Sequence, residues 1–302
     1  MEDIMSTYAA IPDTATEETV LQTASHYCRL NDEPLKKIET PSVNVYVRLS
    51  NACNANCDFC SFHGERKTFN EEKFMRLLAN LRRKIKINKL SFTGGEPTLD
   101  FPLFQKMLKF VNILDSDIFT VVNTNGLHLL ELNKLNISSV ALSRHHYDDV
   151  INASIFKAKT PSSDNIKNYN NDNLHLSCNL IKNYIDSDEQ VMKYLDWCDS
   201  VNIKDVGFVG LMLANDYCKE HFVSTDIIHS MKRFVKTKTY SKQDEDKITC
   251  KCSNFLYGGN NLISVYCRHY VCNNNESVVV YDCDTFKNGF NGNCLDNYLE
   301  IP

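Results

Sequence analysis

The sequence lacks the long apolar segments that cross a membrane or direct secretion. No run approaches the ~20 consecutive apolar residues that span a bilayer. The first residues, Met-Glu-Asp-Ile-Met-Ser, lack the basic and apolar regions of a signal peptide. We therefore expect a cytoplasmic protein without a membrane partner.

An excess of positive charge is also lacking. The formal net charge is -5, with 43% hydrophobic and 24% charged residues among 302, which is ordinary for a globular protein. The one basic cluster, at residues 82–89, follows a predicted helix, where the helix dipole and water favour cations. This pattern gives no reason to expect a nucleic-acid partner. The length suits one large α/β unit with a small appendage.

Cysteine, in contrast, is abundant. The chain has 13 cysteines, an odd number that excludes complete disulfide pairing, so thiolate ligands and buried thiols in a reducing compartment explain them better. Cys53, Cys57 and Cys60 lie within residues 51–60, separated by three and two residues. Three thiolates on one loop can hold three irons of a four-iron cluster, which leaves the fourth iron open to a substrate or cofactor.

Two simpler sites would use the same thiols. A structural zinc ion normally has a fourth Cys or His ligand, and His63 is near enough in sequence to be that ligand. A redox-active dithiol is the other alternative. Because this loop lacks the paired cysteine motifs of typical zinc sites, its spacing favours the cluster.

A predicted strand leads into the cysteine loop. Apolar and polar residues alternate over residues 42–49, which is the period of a β-strand. Asn70 then begins a helix whose apolar residues share one face. A second strand over 89–92 runs into the turn Gly94-Gly95-Glu96-Pro97. The glycines let the backbone approach a ligand closely, and the carboxylate can pair with an ammonium group.

The cysteine loop and this turn resemble those of the radical S-adenosylmethionine (radical SAM) superfamily, including Phe59 just before the third cysteine. The resemblance implies a 4Fe-4S cluster whose open iron binds the amino and carboxylate groups of S-adenosylmethionine. It also implies that the turn contacts the amino group, and that the reduced cluster cleaves the sulfonium to a 5′-deoxyadenosyl radical. Such an oxidoreductase needs a flavodoxin- or ferredoxin-like electron donor.

Regularly spaced strands and helices predict an α/β fold, the partial (β/α)6 TIM barrel that is typical of this superfamily. The further strands are expected over residues 117–123, 138–143, 174–179 and 206–211. A capping pattern at Ser187 predicts a helix that buries Cys198. Another helix is expected over 225–234, and the polar segment 162–173 is expected to be a mobile loop, either over the substrate or simply solvated.

Three segments make up the predicted domain organisation. An N-terminal helical extension over residues 1–40 covers the barrel or binds a partner. The barrel occupies residues 41–235, and a small cysteine-rich domain occupies residues 236–302.

Polar residues at the ends of the barrel strands are the predicted cofactor contacts. Asn123 belongs to the turn after the third strand, Ser143 ends the fourth strand and Asn179 ends the fifth. The resemblance places contacts to S-adenosylmethionine at the ends of the fourth and fifth strands. For each residue the alternative is a polar strand end that satisfies local backbone groups.

Two further residues are candidates for chemistry on the substrate. His145 could act as an acid, a base or a hydrogen-bond partner near neutral pH, and its neighbour His146 must face another way. Cys218 follows the sixth strand, where a thiol could give a hydrogen atom to a substrate radical, as some related peptide epimerases do. The alternative is a buried thiol.

The end of the chain is unusually rich in cysteine. In position this tail resembles the small SPASM-like or twitch-like domains that carry auxiliary iron-sulfur clusters in the peptide- and molybdopterin-maturing branches. We expect a second 4Fe-4S cluster there, with a zinc site or free thiols as alternatives. A strand over 277–281 would suit a hairpin that delivers ligands. The preferred ligands are Cys267, Cys272 and Cys283, with Cys252 or Cys294 as the fourth.

An auxiliary cluster would favour a peptide substrate, modified by crosslinking or epimerisation. Radical modification of a small metabolite or nucleoside is the alternative reaction. A non-catalytic iron-sulfur scaffold or sensor is the alternative of a different class.

Overall fold

The computed structural model describes residues 42–60, 67–169, 172–229, 235–236, 253–258, 262–268, 278–290 and 292–300. The predicted N-terminal extension lies outside these residues, as do His63, Cys252 and Cys272. None of the helices within the described ranges has the length and apolar character of a membrane-spanning segment.

One sheet of eleven strands organises the described residues. Its strands are β1 (Ser42–Ser50), β2 (Lys86–Gly94), β3 (Phe119–Thr124), β4 (Ser139–Ser143), β5 (Leu174–Leu180), β6 (Asp205–Gly210), β7 (Val235–Lys236), β8 (Ser253–Gly258), β9 (Leu262–Arg268), β10 (Val278–Asp282) and β11 (Phe286–Asn288). The order across the sheet is β11-β10-β1-β2-β3-β4-β5-β6-β9-β8-β7.

Helices connect the strands. They are α1 (Glu71–Lys84), α2 (Phe101–Leu114), α3 (Leu129–Leu132), α4 (Asp149–Phe156), α5 (Ser163–Lys167), α6 (Asp188–Ser200), α7 (Asp216–Glu220), α8 (Asp226–His229) and α9 (Asp296–Glu300). The strands from β1 to β6 are neighbours in chain order and pair in parallel, which confirms the predicted α/β partial barrel.

Local sequence signals account for the elements that carry the motifs. Strand β1 is buried on both faces, as a central parallel strand must be when helices cover the sheet. The Asn70 side chain accepts a hydrogen bond from the Lys73 N–H and so caps α1. Ser187 caps α6 in the same way, and Cys198 is fully buried on the inner face of that helix, as predicted.

The tail contributes strands to both sides of the barrel sheet. Strand β9 pairs in parallel with β6, and β10 pairs in parallel with β1. The predicted strand over 277–281 is β10, and it forms an antiparallel pair with β11. The domain boundary at residue 235 stays a prediction, but strands on either side of it belong to one sheet.

One local prediction needs correction, and another is tested only in part. The predicted loop 162–173 contains helix α5, because Ser162 and Asn165 form a reciprocal capping box and Ile166 is buried. Of the helix predicted over 225–234, the described residues show α8, and residues 230–234 lie outside the described residues.

Candidate cluster and cofactor site

The cysteine loop lies at the carboxyl end of β1 and packs directly on the glycine turn after β2. The Gly95 N–H donates to the Ser50 carbonyl at 2.9 Å, and the Glu96 N–H donates to the Ala52 carbonyl at 3.0 Å. A Cβ atom at Gly95 would lie 2.1 Å from the Ala52 oxygen. Only glycine fits at this contact, and the two predicted motifs therefore form one structural unit.

The three thiols of the loop differ in burial. Cys53 is exposed, Cys60 is partly exposed and Cys57 is buried. Burial, together with the nearby Cys60 and Cys53 thiols, raises the pKa of Cys57 to about 12. The sulfurs are therefore close enough to influence one another's charge.

The donor set of the loop is three thiols, which suits a four-iron cluster with one iron left open. Within the described ranges, no three Cys, His, Asp or Glu side chains converge on one ion position. His63, the fourth ligand that a zinc site would use, lies outside these residues, and a four-iron cluster would bind each thiolate at a different iron. The Asn51 Oδ1, at the start of the loop, is buried without a hydrogen-bond partner among the described residues, as expected where a bound group completes the site.

Glu96 ties the ends of β2 and β3 together. Its carboxylate is 1% exposed. Oε1 accepts hydrogen bonds from the Thr98 N–H at 3.0 Å, the Thr98 hydroxyl at 2.6 Å and the Thr124 hydroxyl at 2.7 Å. Oε2 accepts one from the Asn125 N–H at 2.8 Å. Burial raises the pKa of Glu96, and these four donors oppose that rise. The direct ammonium contact stays a prediction, as does the cofactor role of the buried Pro97.

Sequence reasoning missed the contact between the β3 turn and the cysteine loop. The Asn125 Nδ2 donates to the Cys53 sulfur at 3.6 Å and to Asn54 Oδ1 at 2.8 Å. The sequence did place Asn123 in a turn after the third strand, but it held no signal that this turn reaches the first cysteine.

The predicted strand-end residues lie on the same rim as the loop. Asn123, Ser143 and Asn179 are each partly exposed near the carboxyl ends of β3, β4 and β5. Parallel pairing brings these ends together, as the Ser143 and Ser177 register shows for β4 and β5. Chemistry in barrel folds concentrates at this end. Their cofactor contacts stay predictions.

His145 lies inside an aromatic wall behind the cysteine loop. Its ring stacks on Phe156 with centroids 4.9 Å apart, and it lies nearly perpendicular to the Phe59 ring with centroids 5.0 Å apart. The Asn179 N–H donates to its Nδ1 at 3.0 Å. Burial and the nearby Arg144 guanidinium lower the pKa of His145 to about 3. The ring is therefore neutral near pH 7, and the geometry favours positioning over acid catalysis.

Cys218 is held against the cysteine loop. It is 1% exposed on α7, and its Sγ donates to the Phe59 carbonyl at 3.3 Å. The Asn215 side chain accepts from the Cys218 N–H at 2.9 Å and donates to the Asp58 carbonyl at 3.0 Å. Burial raises the pKa of this thiol. The fold thus brings Cys218 beside the predicted iron ligands, although 159 positions separate it from Phe59.

The described tail cysteines lie on different elements. Cys267 is buried on β9 beside β6, and burial raises its pKa to about 12. Cys283 is buried in the turn after β10, with a φ of 60°. Cys294 is exposed, and its backbone forms an isolated antiparallel β-bridge with Lys287 of β11. Strands β1 to β6 lie between β9 and β10 in the sheet order, and the shared ligand set for Cys267 and Cys283 stays a prediction.

Comparisons with known proteins agree with the geometry. The family model described as "Radical SAM superfamily" matches residues 47–225. A "Probable GTP 3′,8-cyclase" from Thermoplasma volcanium is 29% identical over 114 residues, which cover 36% of this chain and 35% of that protein. The "Putative peptide biosynthesis protein YydG" from Bacillus subtilis is 23% identical over 227 residues, covering 70% of this chain and 65% of YydG. The matches thus span from about a third to just under two thirds of these relatives.

The fold also resembles solved structures. Streptococcus suis SuiB, in its crystal structure bound to S-adenosylmethionine, superimposes with a TM-score of 0.50 at 19% sequence identity. The superposition covers 59% of this chain and 43% of SuiB.

Proposed function

Because the chain belongs to the radical SAM superfamily and is therefore a radical SAM enzyme, we propose that Cys53, Cys57 and Cys60 hold the 4Fe-4S cluster that the family implies. The observation that carries the assignment is the contact between Gly95 and the Ala52 carbonyl, which joins the cysteine loop to the turn expected to bind S-adenosylmethionine. When bound, the two cofactors supply a 5′-deoxyadenosyl radical that takes a hydrogen atom from the substrate.

The chain's own residues would hold and shield that chemistry. Gly94 and Gly95 let the backbone approach the methionine moiety, while Phe59 forms an apolar wall with His145. The partly exposed polar groups at the ends of β3 to β5 face the same rim and would orient the cofactor. We propose a flavodoxin- or ferredoxin-like reductant and a cytoplasmic location, because the cluster and a chain with 13 cysteines are both best suited to a reducing compartment.

For the substrate we propose a peptide. The match to YydG, whose name refers to peptide biosynthesis, extends over 70% of this chain, whereas the matches to the cyclases of Thermoplasma volcanium and Staphylococcus haemolyticus cover 36% and 60%. A nucleotide is the second candidate, because the Thermoplasma cyclase match has the higher identity, 29% against 23%. The auxiliary cluster in the tail remains a proposal, with Cys252 and Cys272 outside the described residues.

Within peptide chemistry, the position of Cys218 favours epimerisation over crosslinking. Once a hydrogen atom has left a Cα of the peptide, the Cys218 S–H bond would break and a new C–H bond would form on the opposite face. The sulfur radical left behind would regain one proton and one electron, the electron coming from the flavodoxin- or ferredoxin-like donor. A raised pKa keeps the thiol protonated, which is the form that can give a hydrogen atom.

The cluster assignment is tested by metal analysis. Anaerobically reconstituted wild type is compared with the variant Cys53→Ala/Cys57→Ala/Cys60→Ala for iron, sulfide, Mössbauer spectra and cleavage of S-adenosylmethionine. We expect the variant to lose about four irons and all cleavage. About four irons remaining would establish an auxiliary cluster elsewhere, and near-zero iron would exclude one. Cleavage by the variant would refute the assignment.

The role of Cys218 is tested with synthetic peptides in D2O. Wild type should add one deuterium per epimerised residue, because the exchangeable thiol supplies it. Cys218→Ala should still cleave S-adenosylmethionine but yield no epimer. Cys198→Ala is the matched control, since Cys198 is also buried but lies in the core on α6. Deuterium incorporation by Cys218→Ala at the wild-type rate would contradict the role.

A further inference from the structure

Asn125 connects the Gly-Gly-Glu turn to the first cysteine. Its backbone N–H donates to Glu96 Oε2 at 2.8 Å, which fixes the turn after β3 to the turn after β2. Its side-chain Nδ2 donates to Asn54 Oδ1 at 2.8 Å and to the Cys53 sulfur at 3.6 Å. Both contacts cross from the β3 turn to the cysteine loop.

The orientation of the Asn125 amide is determined by a third contact. Its Oδ1 accepts a hydrogen bond from the Leu127 N–H at 3.1 Å. Because that donor occupies the oxygen, the NH2 end must face Asn54 and Cys53. An amide nitrogen carries two hydrogens, so it can serve the Asn54 oxygen and the Cys53 sulfur together.

Cys53 receives a second N–H donor from its own loop. The Ala55 backbone N–H donates to the Cys53 sulfur at 3.3 Å. The environment of Cys57 is different, since its sulfur is buried and contacts the Phe156 carbonyl at 3.8 Å. The ligands of the proposed cluster are therefore unequal, and Asn125 supplies a side-chain donor to Cys53.

We propose that Asn125 is a positioning residue whose N–H···S hydrogen bond to Cys53 raises the reduction potential of the cluster. The inference rests on the proposed function, because it requires Cys53 to ligate iron. A reduced cluster carries more negative charge on its sulfurs, and an N–H dipole directed at a ligand sulfur stabilises that charge. The electron donor must supply a lower potential when this hydrogen bond is absent.

The test is a redox titration of the reconstituted full chain, followed by electron paramagnetic resonance. The signal that changes when S-adenosylmethionine is added identifies the cluster with the open iron. Asn125→Ala removes the donor, and Asn125→Asp removes it while keeping the shape and the acceptor for Leu127. We expect a more negative midpoint potential in both variants, with the larger shift in Asn125→Asp because it adds a negative charge. Iron content should equal that of wild type.

Asn112→Ala is the matched control. Its exposed Nδ2 on α2 donates to the Asn136 carbonyl, so the potential should remain that of wild type. An unchanged potential in Asn125→Ala with a full cluster would overturn the proposal. Loss of the cluster in both Asn125 variants would overturn it as well, because Asn125 would then be needed for assembly and not for the potential. A wild type that binds no iron would instead refute the proposed function.

Discussion

Replacing Gly95 by alanine should separate the two motifs of the site. The new Cβ would lie 2.1 Å from the Ala52 oxygen and 2.6 Å from the Ala52 carbonyl carbon, whereas ordinary contact begins at 3.4 Å. Both atoms belong to the backbone, so no side-chain rotation can relieve the overlap. The turn and the loop must therefore move apart until these atoms reach an ordinary van der Waals distance, which a close-packed interior resists.

The cost follows from the contacts that the movement breaks. The hydrogen bonds from the Gly95 N–H to Ser50 and from the Glu96 N–H to Ala52 would both be lost, at about 1 kcal/mol each. Overpacking adds about 1–3 kcal/mol, so we expect the free energy of unfolding to fall by about 3–5 kcal/mol. That is a large part of the roughly 5–15 kcal/mol that stabilises a domain.

The assay combines urea unfolding with iron content after anaerobic reconstitution. Gly210→Ala is the matched control, because a Cβ there would meet its nearest atoms, on Phe222, Val223 and Thr225, at 3.6 to 3.9 Å. We expect that variant to be about 0.4–1 kcal/mol more stable, since alanine reduces the freedom of the unfolded chain. Wild-type stability together with full iron loading in Gly95→Ala would refute the reasoning.

Three further predictions concern buried polar groups. Asp149→Asn leaves the buried Arg144 guanidinium without its carboxylate. We therefore expect the free energy of unfolding at pH 7 to fall by about 1–2 kcal/mol. The hydrogen bonds from Arg144 and Ser163 outweigh burial and lower the pKa of Asp149. Asp149 therefore stabilises the fold above its ordinary pKa of 3.8, and this stabilisation is lost as the pH falls below that value. If wild type and Asp149→Asn differed as much in unfolding free energy at acid pH as at pH 7, the reasoning would be contradicted. The His145 ring resonances should not titrate between about pH 5 and 9, because its pKa is about 3, and an NMR titration near pH 6.5 would disprove the burial. Glu96→Gln should lower the unfolding free energy by about 2–4 kcal/mol in urea, since an NH2 group replaces one acceptor oxygen, and an unchanged midpoint would argue against the four-donor arrangement.

Elements with a local cause were predictable from the sequence. Alternating valines predicted β1, Asn70 and Ser187 predicted the starts of α1 and α6, and the cysteine spacing identified the family that the comparisons then showed. Each signal lies within a few residues of the element it specifies, so its interpretation needs no knowledge of the chain path.

The missed contacts link residues that are far apart in the chain. Asn125 reaches Cys53 across 72 positions, and Cys218 reaches the Phe59 carbonyl across 159. The Ser162 capping box was also missed. The helix that it begins lies in a polar segment and buries Ile166.

The sequence by itself determined the cysteine loop, the glycine turn and the alternation of strands and helices, because residue spacing and capping act over short distances. The tertiary structure alone decided that tail strands flank both β1 and β6, that His145 is buried and neutral, and that Asn125 and Cys218 contact the loop. These depend on which strands pair and on what covers each side chain, and neither is encoded in any single stretch of the chain.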